Sequence, residues 1–253
     1  MSKISAEKYY VWVGPSIVLI LWAIINSTHL ASPTLLPSVI HTFQKLSEIV
    51  VTGSAFLNLS ATLARTLVGF FLAVILGVPI GVFLGAHPKI YNMFDAVIEF
   101  FRSLPGTAMF PLFLLAFGIG DGSKIAIAWF ISFWIILVNS AYGVLQGSRT
   151  RKRVAQILKA THWQELSLVI FMDALPQIFI GLKVGLSLSL IAVVVSEMFI
   201  GSNTGLGQKI YDSYLTYEIP YLYAWLIVTG ATGYSLNRIF ALFEHRVVHW
   251  VGK

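Results

Sequence analysis

The apolar residues of this chain fall into six long stretches, separated by shorter segments that hold most of the polar residues. Each stretch has about the twenty residues that a helix needs to cross the hydrocarbon core of a bilayer. A barrel strand would instead show about ten residues of strict alternation. The pattern therefore predicts an all-α polytopic membrane protein with about six transmembrane helices. The predicted spans are Val11 to Ser27, Ala61 to Ala86, Val97 to Phe117, Ile125 to Leu145, Leu175 to Ile200 and Tyr221 to Phe243.

The composition also indicates that the chain is embedded in a lipid bilayer. Of the 253 residues, 57% are hydrophobic and 11% are charged, whereas a soluble domain needs roughly a quarter of charged residues to cover its surface. The mean hydropathy is +0.80. The chain has no cysteine, so disulfides and thiol chemistry are excluded. We interpret residues 1–253 as a single transmembrane domain.

The positions of lysine and arginine predict the orientation, because positively charged short loops stay on the cytoplasmic side of the membrane. With six spans, both termini and the basic segment that begins at Arg149 share one face, which is therefore cytoplasmic. We expect the first span to be an uncleaved helix, since its apolar run is longer than that of a signal peptide. The net charge of +6 then reflects topology, and nucleic acid is not an expected partner. The cytoplasmic set is Lys3, Lys8, Lys89, Arg149, Arg151, Lys152, Arg153, Lys159, Arg246 and Lys253.

A further helix is predicted in the polar segment between the first two spans. After Pro37, apolar residues recur at helical spacing as far as Val50, with Gln44, Lys45 and Glu48 between them. An amphipathic helix at the membrane interface fits this pattern, and so does an ordinary packed connector.

Small residues recur every four positions along the second span. Helices in lipid associate by close approach of their backbones, which small side chains permit. We expect this stripe to pack against another helix and Pro79 to bend the span locally. The stripe consists of Gly69, Ala73, Gly77, Gly81 and Gly85.

Polar residues inside the apolar stretches are the candidates for a pathway or gate, because a charge at a helix centre costs about 2.5–3.5 kcal/mol. Asp95, Glu99 and Arg102 share one helical face, so either an ion cluster or snorkelling towards water would lower that cost. Just beyond them, Pro105 and Gly106 predict a break or hinge. The candidates are Arg102, Pro105, Asn139, Lys183 and Glu197.

Lys183 and Glu197 occupy the same predicted span but are roughly 21 Å apart along it, so each needs a partner of its own. A pathway role and snorkelling both suit Lys183, and a structural or gating partner on a neighbouring helix suits Glu197. Asn139 either lines an interior face or makes an ordinary interhelical hydrogen bond.

No catalytic or nucleotide-binding motif is present in the sequence. The glycines of the segment GIGDGSK do not follow a predicted strand, so we interpret them as loop glycines and not as a phosphate cradle. His245 and His249 are four residues apart without a cysteine or third histidine nearby, so no metal site is predicted.

Several segments, in order, resemble the membrane permease subunit of bacterial binding-protein-dependent ABC importers, in the branch with nitrate, sulfonate, taurine and bicarbonate permeases. The resemblance covers nearly the whole chain and implies the type I importer permease fold. The matching segments are LLPS at 35–38, ATLARTLVGF at 61–70, FRSLPGTAMFPLFLLAFGIG at 101–120, ALPQIFIGLK at 174–183 and SEMFIGSNTGLG at 196–207.

The resemblance implies that the cytoplasmic loop 149–173 couples the permease to an ATPase. In that family a short helix with an EAA motif docks into the ATPase subunit, and it corresponds here to Arg153 to Trp163. The implied coupling residues are Arg151, Arg153, Ala155, Leu158, Lys159, Ala160, His162 and Trp163.

The loop departs from the family motif. Arg153-Val154-Ala155 replaces Glu-Ala-Ala, Lys159 replaces the motif glycine, and Phe171-Met172 replaces Leu-Pro. Glycine permits a tight turn, so Lys159 predicts a looser or differently shaped contact. Either the partner ATPase has diverged, or a second permease in a heterodimer carries the regular motif.

The resemblance also implies which partner subunits assemble with this chain. Two permease subunits, as a homodimer or heterodimer, would form the pathway in the bacterial inner membrane, with ATP bound by separate ATPases and no cofactor in this chain. A periplasmic or lipid-anchored binding protein would deliver a small anion or another small organic molecule, such as a vitamin precursor. The alternative function is a stand-alone secondary transporter or channel, against which the absence of an evident internal repeat counts.

Overall fold

The structure is a computed structural model that describes residues 3–250 apart from 29, 31, 33 and 34, with side chains except those of 3–12, 149, 152, 156 and 162. This part of the chain consists of helices and their connections. The helices are α1 (Lys3–Ser27), α2 (Val39–Val51), α3 (Ser54–Ala86), α4 (Pro88–Ser103), α5 (Phe110–Phe117), α6 (Asp121–Leu145), α7 (Arg149–Ile157), α8 (His162–Gln164), α9 (Phe171–Ile200), α10 (Leu206–Leu215) and α11 (Ile219–Val247).

Helix α6 lies at the centre, with α3 on one side. The small-residue stripe of α3 faces it so closely that a Cβ atom on Gly81 would lie 2.4 Å from the Leu137 carbonyl oxygen, and one on Gly85 would lie 2.5 Å from that of Ala141. Any side chain larger than hydrogen would therefore push the two backbones apart.

Helix α9 packs on the other side of α6, and glycines again permit the close approach of the two helices. A Cβ on Gly181 would lie 2.5 Å from the Cβ of Asn139, and the Cα of Gly143 stands opposite Ala174. With a neighbour on each side, α6 holds Ile127, Ile136 and Ala141 at 0% exposure.

The predicted third span is not one continuous helix. Helix α4 and the segment Gly106–Phe117, which starts with a short 3-10 turn, meet at an angle of 88°. Leu104 is extended, with φ −68° and ψ 125°, as expected for a residue before proline. The prediction of a break at Pro105 and Gly106, within the span predicted from Val97 to Phe117, is confirmed.

The structure contains fewer clear candidates for membrane-spanning helices than the six that the sequence predicts. Within the described residues, three helices are long and apolar enough to cross a membrane, namely 54–86, 121–145 and 165–200. The bent pair 88–103 and 106–117 would be a fourth if its two parts form one crossing and not a re-entrant loop. Helices α1 and α11 occupy the places of the first and sixth predicted spans.

The helix predicted after Pro37 is present as α2. One side packs against α9, α10 and α11 through Ile49, which is 4% exposed. The other side leaves Ile40 and Phe43 exposed, as an interfacial helix does.

The segment after α6 differs from its prediction in one respect. The helix expected from Arg153 to Trp163 ends at Ile157, and a new helix starts at His162. That second helix passes through a π-helical stretch, Glu165–Ile170, and continues as α9, so Glu165–Ile200 forms one helix of 36 residues. The fifth span thus starts earlier than Leu175, and 162–173 is its extension.

Candidate coupling surface and buried polar cluster

The turn between α7 and α8 is tight although it has no glycine. Lys159 has a φ of 54°, in the left-handed region. The Ala160 amide N–H donates to the Ala155 carbonyl oxygen over 3.0 Å, the bond that closes a Schellman motif at a helix C-terminus. Lys159 thus adopts the conformation that a glycine favours, and the turn itself is tight; the looser or differently shaped contact with the ATPase stays a prediction.

The large apolar side chains around this turn are exposed. Ile157 is 78% exposed, Leu158 75% and Trp163 73%. Ala155, by contrast, is buried and faces the rest of the chain. The turn therefore presents a compact apolar tip, which we call the coupling tip and define as Ile157, Leu158 and Trp163.

An ion pair fixes α7 to the start of α9. Arg151 Nη1 lies 2.8 Å from Asp173 Oδ1, and Asp173 is nearly buried. Asp173 Oδ2 also accepts the Ser148 backbone N–H over 3.1 Å. Two elements on either side of the tip are thus held by one carboxylate.

A cavity of about 680 Å³ lies between α7 and the start of the long helix. Its walls are mostly apolar, and a residue beyond α11 contributes one of them. The wall residues include Val154, Ala155, Leu158, Leu168, Met172 and Trp250.

The other predicted coupling residues lie around the tip. Arg153 and Lys159 are exposed, and Ala160 is partly buried. The His162 side chain lies outside the described side chains. The structure thus gathers most of the predicted coupling residues on one surface.

Glu197 lies at the opposite end of the bundle and has a partner that the sequence did not suggest. Its carboxylate is 0% exposed and accepts a hydrogen bond from Arg65 Nη1 over 2.6 Å. It also accepts from Thr62 Oγ1 at 3.0 Å and from the Gly207 amide at 2.9 Å. Such a buried charge is tolerated because it is paired and hydrogen-bonded.

Arg65 joins Glu197 to two further groups. Its Nε donates to Asp121 Oδ1 over 2.8 Å, and its Nη1 also donates to the Thr204 carbonyl oxygen over 2.7 Å. One guanidinium thereby ties α3, the start of α6, the end of α9 and the loop that leads to α10. We call this group the outer cluster, and its members are Thr62, Arg65, Asp121, Glu197 and Thr204.

The outer cluster also fixes the backbone of the loop before α10. Asn58 Oδ1 accepts the Gly205 amide N–H over 2.9 Å, and Thr62 Oγ1 accepts that of Leu206 over 2.8 Å. At Gly205, φ is 143° and an added Cβ would lie 2.4 Å from the Glu197 carboxyl carbon. Only glycine fits there.

The remaining candidates for a pathway are separate from the outer cluster. Arg102 pairs with Glu99 over 2.7 Å next to the break at Pro105, and Asp95 is not part of that pair. Asn139 accepts from Gln177 Nε2 over 2.9 Å, which is an interhelical hydrogen bond. Lys183 is exposed on α9.

With this geometry established, comparison with known proteins gives the family. The family model described as "Binding-protein-dependent transport system inner membrane component" matches residues 77–249. The chain belongs to this family. It is a permease subunit of an ABC importer.

The permease has relatives along almost its full length. It is 27% identical over 98% of its length to the putative aliphatic sulfonates transport permease protein SsuC of Bacillus subtilis, of which the match covers 91%. It is 28% identical over 93% of its length to the nitrate import permease protein NrtB of Synechocystis, of which the match covers 88%.

A solved structure supports the fold. The permease matches a chain of the MetNI methionine ABC transporter in an inward-facing conformation with a TM-score of 0.65 and 22% identity. The match covers 78% of this permease and 95% of that chain. The architecture is therefore that of an ABC importer permease.

Proposed function

We propose that this permease forms a translocation pathway with a second permease subunit, and that its 149–173 segment transmits the movement of separate ATPase subunits. The observation that carries the proposal is the coupling tip. Three large apolar side chains that are each at least 73% exposed form a patch typical of a protein interface. The ATPase is the partner that membership in this family supplies.

The coupling tip is also built to transmit force. Arg151 and Asp173 join α7 to the helix that begins at Glu165 and continues to Ile200. Since a helix of 36 residues is roughly 54 Å long, a push at the tip would be carried to the outer cluster at Glu197. The Arg65–Glu197 ion pair would then move the loop before α10.

We further propose the orientation and setting that follow from this role. The six predicted spans place both termini and the coupling tip in the cytoplasm of a bacterium, with the permease in the inner membrane. The outer cluster then faces the side from which a binding protein delivers its cargo.

The proposed cargo is a small anion. The names of the two relatives mention aliphatic sulfonates and nitrate. Nitrate is an oxyanion, and an aliphatic sulfonate carries an oxyanion group at the end of a hydrocarbon chain. A homodimer would present two copies of each pathway residue to such a cargo.

Retention of the ATPase by the purified permease tests the coupling proposal. Leu158→Asp should abolish retention because it places a charge at the centre of the tip, and Ala155→Glu should weaken it by breaking the packing beneath the tip. Leu215→Asp on α10, where Leu215 is also exposed, is the matched control and should leave retention unchanged. Undiminished retention after deletion of residues 149–163 would contradict the assignment.

A further inference from the structure

A π-helical stretch interrupts the long helix between the coupling tip and the apolar run of α9. It covers Glu165–Ile170, and the Phe171 amide N–H after it donates to the Leu166 carbonyl oxygen, five residues back. Before it, the Glu165 amide N–H donates to the Thr161 carbonyl oxygen over 2.9 Å, four residues back as in an α-helix. The ladder of hydrogen bonds therefore accommodates one extra residue here. Such stretches are rare in proteins and are frequently found at functional sites.

The helix is firmly closed on the side of the tip. Thr161 Oγ1 accepts the Gln164 amide N–H over 3.3 Å, and Gln164 Oε1 accepts the Thr161 amide N–H over 2.9 Å. This reciprocal pair is a capping box, which fixes the start of a helix. Together with the closed turn at Lys159, it makes the tip and the first helical turn one unit. The π-helical stretch follows directly behind this unit.

The extra residue of the π-helical stretch has a geometric consequence. Each residue of an α-helix adds a rotation of about 100° and a rise of about 1.5 Å. If the stretch changed to α-helical hydrogen bonds, the capped unit would therefore turn by roughly 100° and move by about 1.5 Å relative to α9. The two arrangements differ by one discrete step, as in an element with two states.

Space for such a rotation lies on one side of the stretch. Leu166 and Ile170 pack against the core around Val144. Leu168 and Val169 instead line the cavity of about 680 Å³ between α7 and the long helix. In a close-packed interior even one additional methylene group is felt, so side chains cannot turn without free space. The cavity supplies that space next to the segment that would turn.

An ion pair spans the stretch and holds its present arrangement. Arg151 on α7 precedes the tip, whereas Asp173 lies three residues beyond the stretch, and Arg151 Nη1 is 2.8 Å from Asp173 Oδ1. The start of α7 is held to the same carboxylate through the Ser148 amide N–H. The Arg151 side chain is 65% exposed, so water can replace this contact at a small cost in free energy. The ion pair is therefore a constraint that a push on the tip can release.

We propose that Glu165–Ile170 is a register switch, in which closure of the ATPase subunits pushes the coupling tip and converts the π-helical stretch into α-helix. The proposal rests on the coupling role proposed above and specifies how the push enters α9. Part of the movement reaches the long helix as a rotation about its axis, in addition to a displacement along it. The cavity beside the stretch shrinks in the same step.

The test is hydrogen exchange, read by mass spectrometry, of the importer assembled in nanodiscs, with and without a non-hydrolysable ATP analogue. In the unaltered permease, the amides of residues 165–171 should exchange roughly fivefold more slowly or better with the analogue, because α-helical hydrogen bonds replace the π-helical ones. Retention of the ATPase is measured in the same preparation.

Deletion of Ser167 removes the extra residue and should fix the α-helical arrangement, so exchange should be slow with and without the analogue. Ser167→Ala is the matched control. It removes the hydroxyl that donates to the Trp163 carbonyl oxygen over 2.6 Å but keeps the length of the chain, so it should respond as the unaltered permease does. Val169→Trp fills the cavity and should fix the π-helical arrangement, so exchange should stay fast under both conditions.

Exchange of residues 165–171 that is unchanged or faster with the analogue, in an unaltered permease that retains its ATPase, would overturn the switch. Equal responses of the Ser167 deletion and Ser167→Ala would also overturn it. The measurement on the unaltered permease decides the matter even where a variant does not fold. Failure of the unaltered permease to retain its ATPase would instead contradict the coupling proposal.

Discussion

Arg65 Nη1 and Glu197 Oε1 lie 2.6 Å apart in the interior of the bundle, where the Arg65 side chain is 7% exposed and that of Glu197 is 0% exposed. The two residues are 132 positions apart in the chain and belong to α3 and α9. Their ion pair is thus a tertiary crosslink between the two helices that flank α6.

Removal of one member of this pair should destabilise the permease strongly. Arg65→Ala leaves the buried Glu197 carboxylate without its cation, which costs about 3–5 kcal/mol. Glu197→Ala should cost less, because Arg65 keeps its ion pair with Asp121. The double variant Arg65→Ala/Glu197→Ala should lose much less than the sum of the two. Thermal unfolding of the purified variants in detergent measures all three, and additive losses would contradict direct pairing.

The loss of stability caused by a substitution in the small-residue stripe should depend on how close α6 lies to that position. Gly81→Ala places a Cβ 2.4 Å from the Leu137 carbonyl oxygen, so the helices must separate. Overpacking of this kind costs about 1–3 kcal/mol. Gly230→Ala on α11 is the control, since a Cβ there meets nothing within 4 Å. Unfolding temperatures in detergent should fall for Gly81→Ala and stay unchanged for Gly230→Ala.

Lys159→Gly should stabilise the turn behind the coupling tip. A left-handed conformation costs a residue with a Cβ about 1–2 kcal/mol, and glycine adopts it without that cost. Hydrogen exchange of the Ala160 amide, whose bond to Ala155 closes the turn, should slow in Lys159→Gly and accelerate in Lys159→Val. Faster exchange in the glycine variant would show that the turn does not depend on the φ of residue 159.

Local signals in the sequence account for part of this architecture. A four-residue period in small side chains defines one face of α3, and the structure places that face on α6. Pro105 lacks an N–H and disfavours a helical Leu104, so the break after α4 needs no tertiary information.

The outer cluster could not be derived in this way. The polar face of α3 could have indicated a buried polar cluster, because its members recur at helical spacing; they are Asn58, Thr62, Arg65 and Thr66. No local pattern indicates which distant carboxylate pairs with Arg65. The turn at Lys159 escaped prediction for a different reason. Lysine has no preference for the left-handed region, and the hydrogen bond between Ala160 and Ala155 imposes it.

The contact between α2 and α11 should weaken in acid. Tyr221 donates a hydrogen bond to Glu48 Oε1, and Lys45 Nζ donates to Glu48 Oε2 over 2.9 Å. The Tyr221 hydroxyl, followed by the Lys45 ammonium, lowers the pKa of Glu48 from its usual 4.5. A carboxylate with a lowered pKa stabilises the fold above its unfolded-state pKa, and that contribution disappears as the pH falls through the folded-state pKa.

Hydrogen exchange of the α2 amides measures this effect. Protection of α2 should be constant around neutral pH and should decrease as the pH falls through the lowered pKa of Glu48. Glu48→Gln should reduce protection at neutral pH, because an amide replaces the charged acceptor. It should also remove the decrease in acid, whereas the same decrease in the variant would assign it to another group.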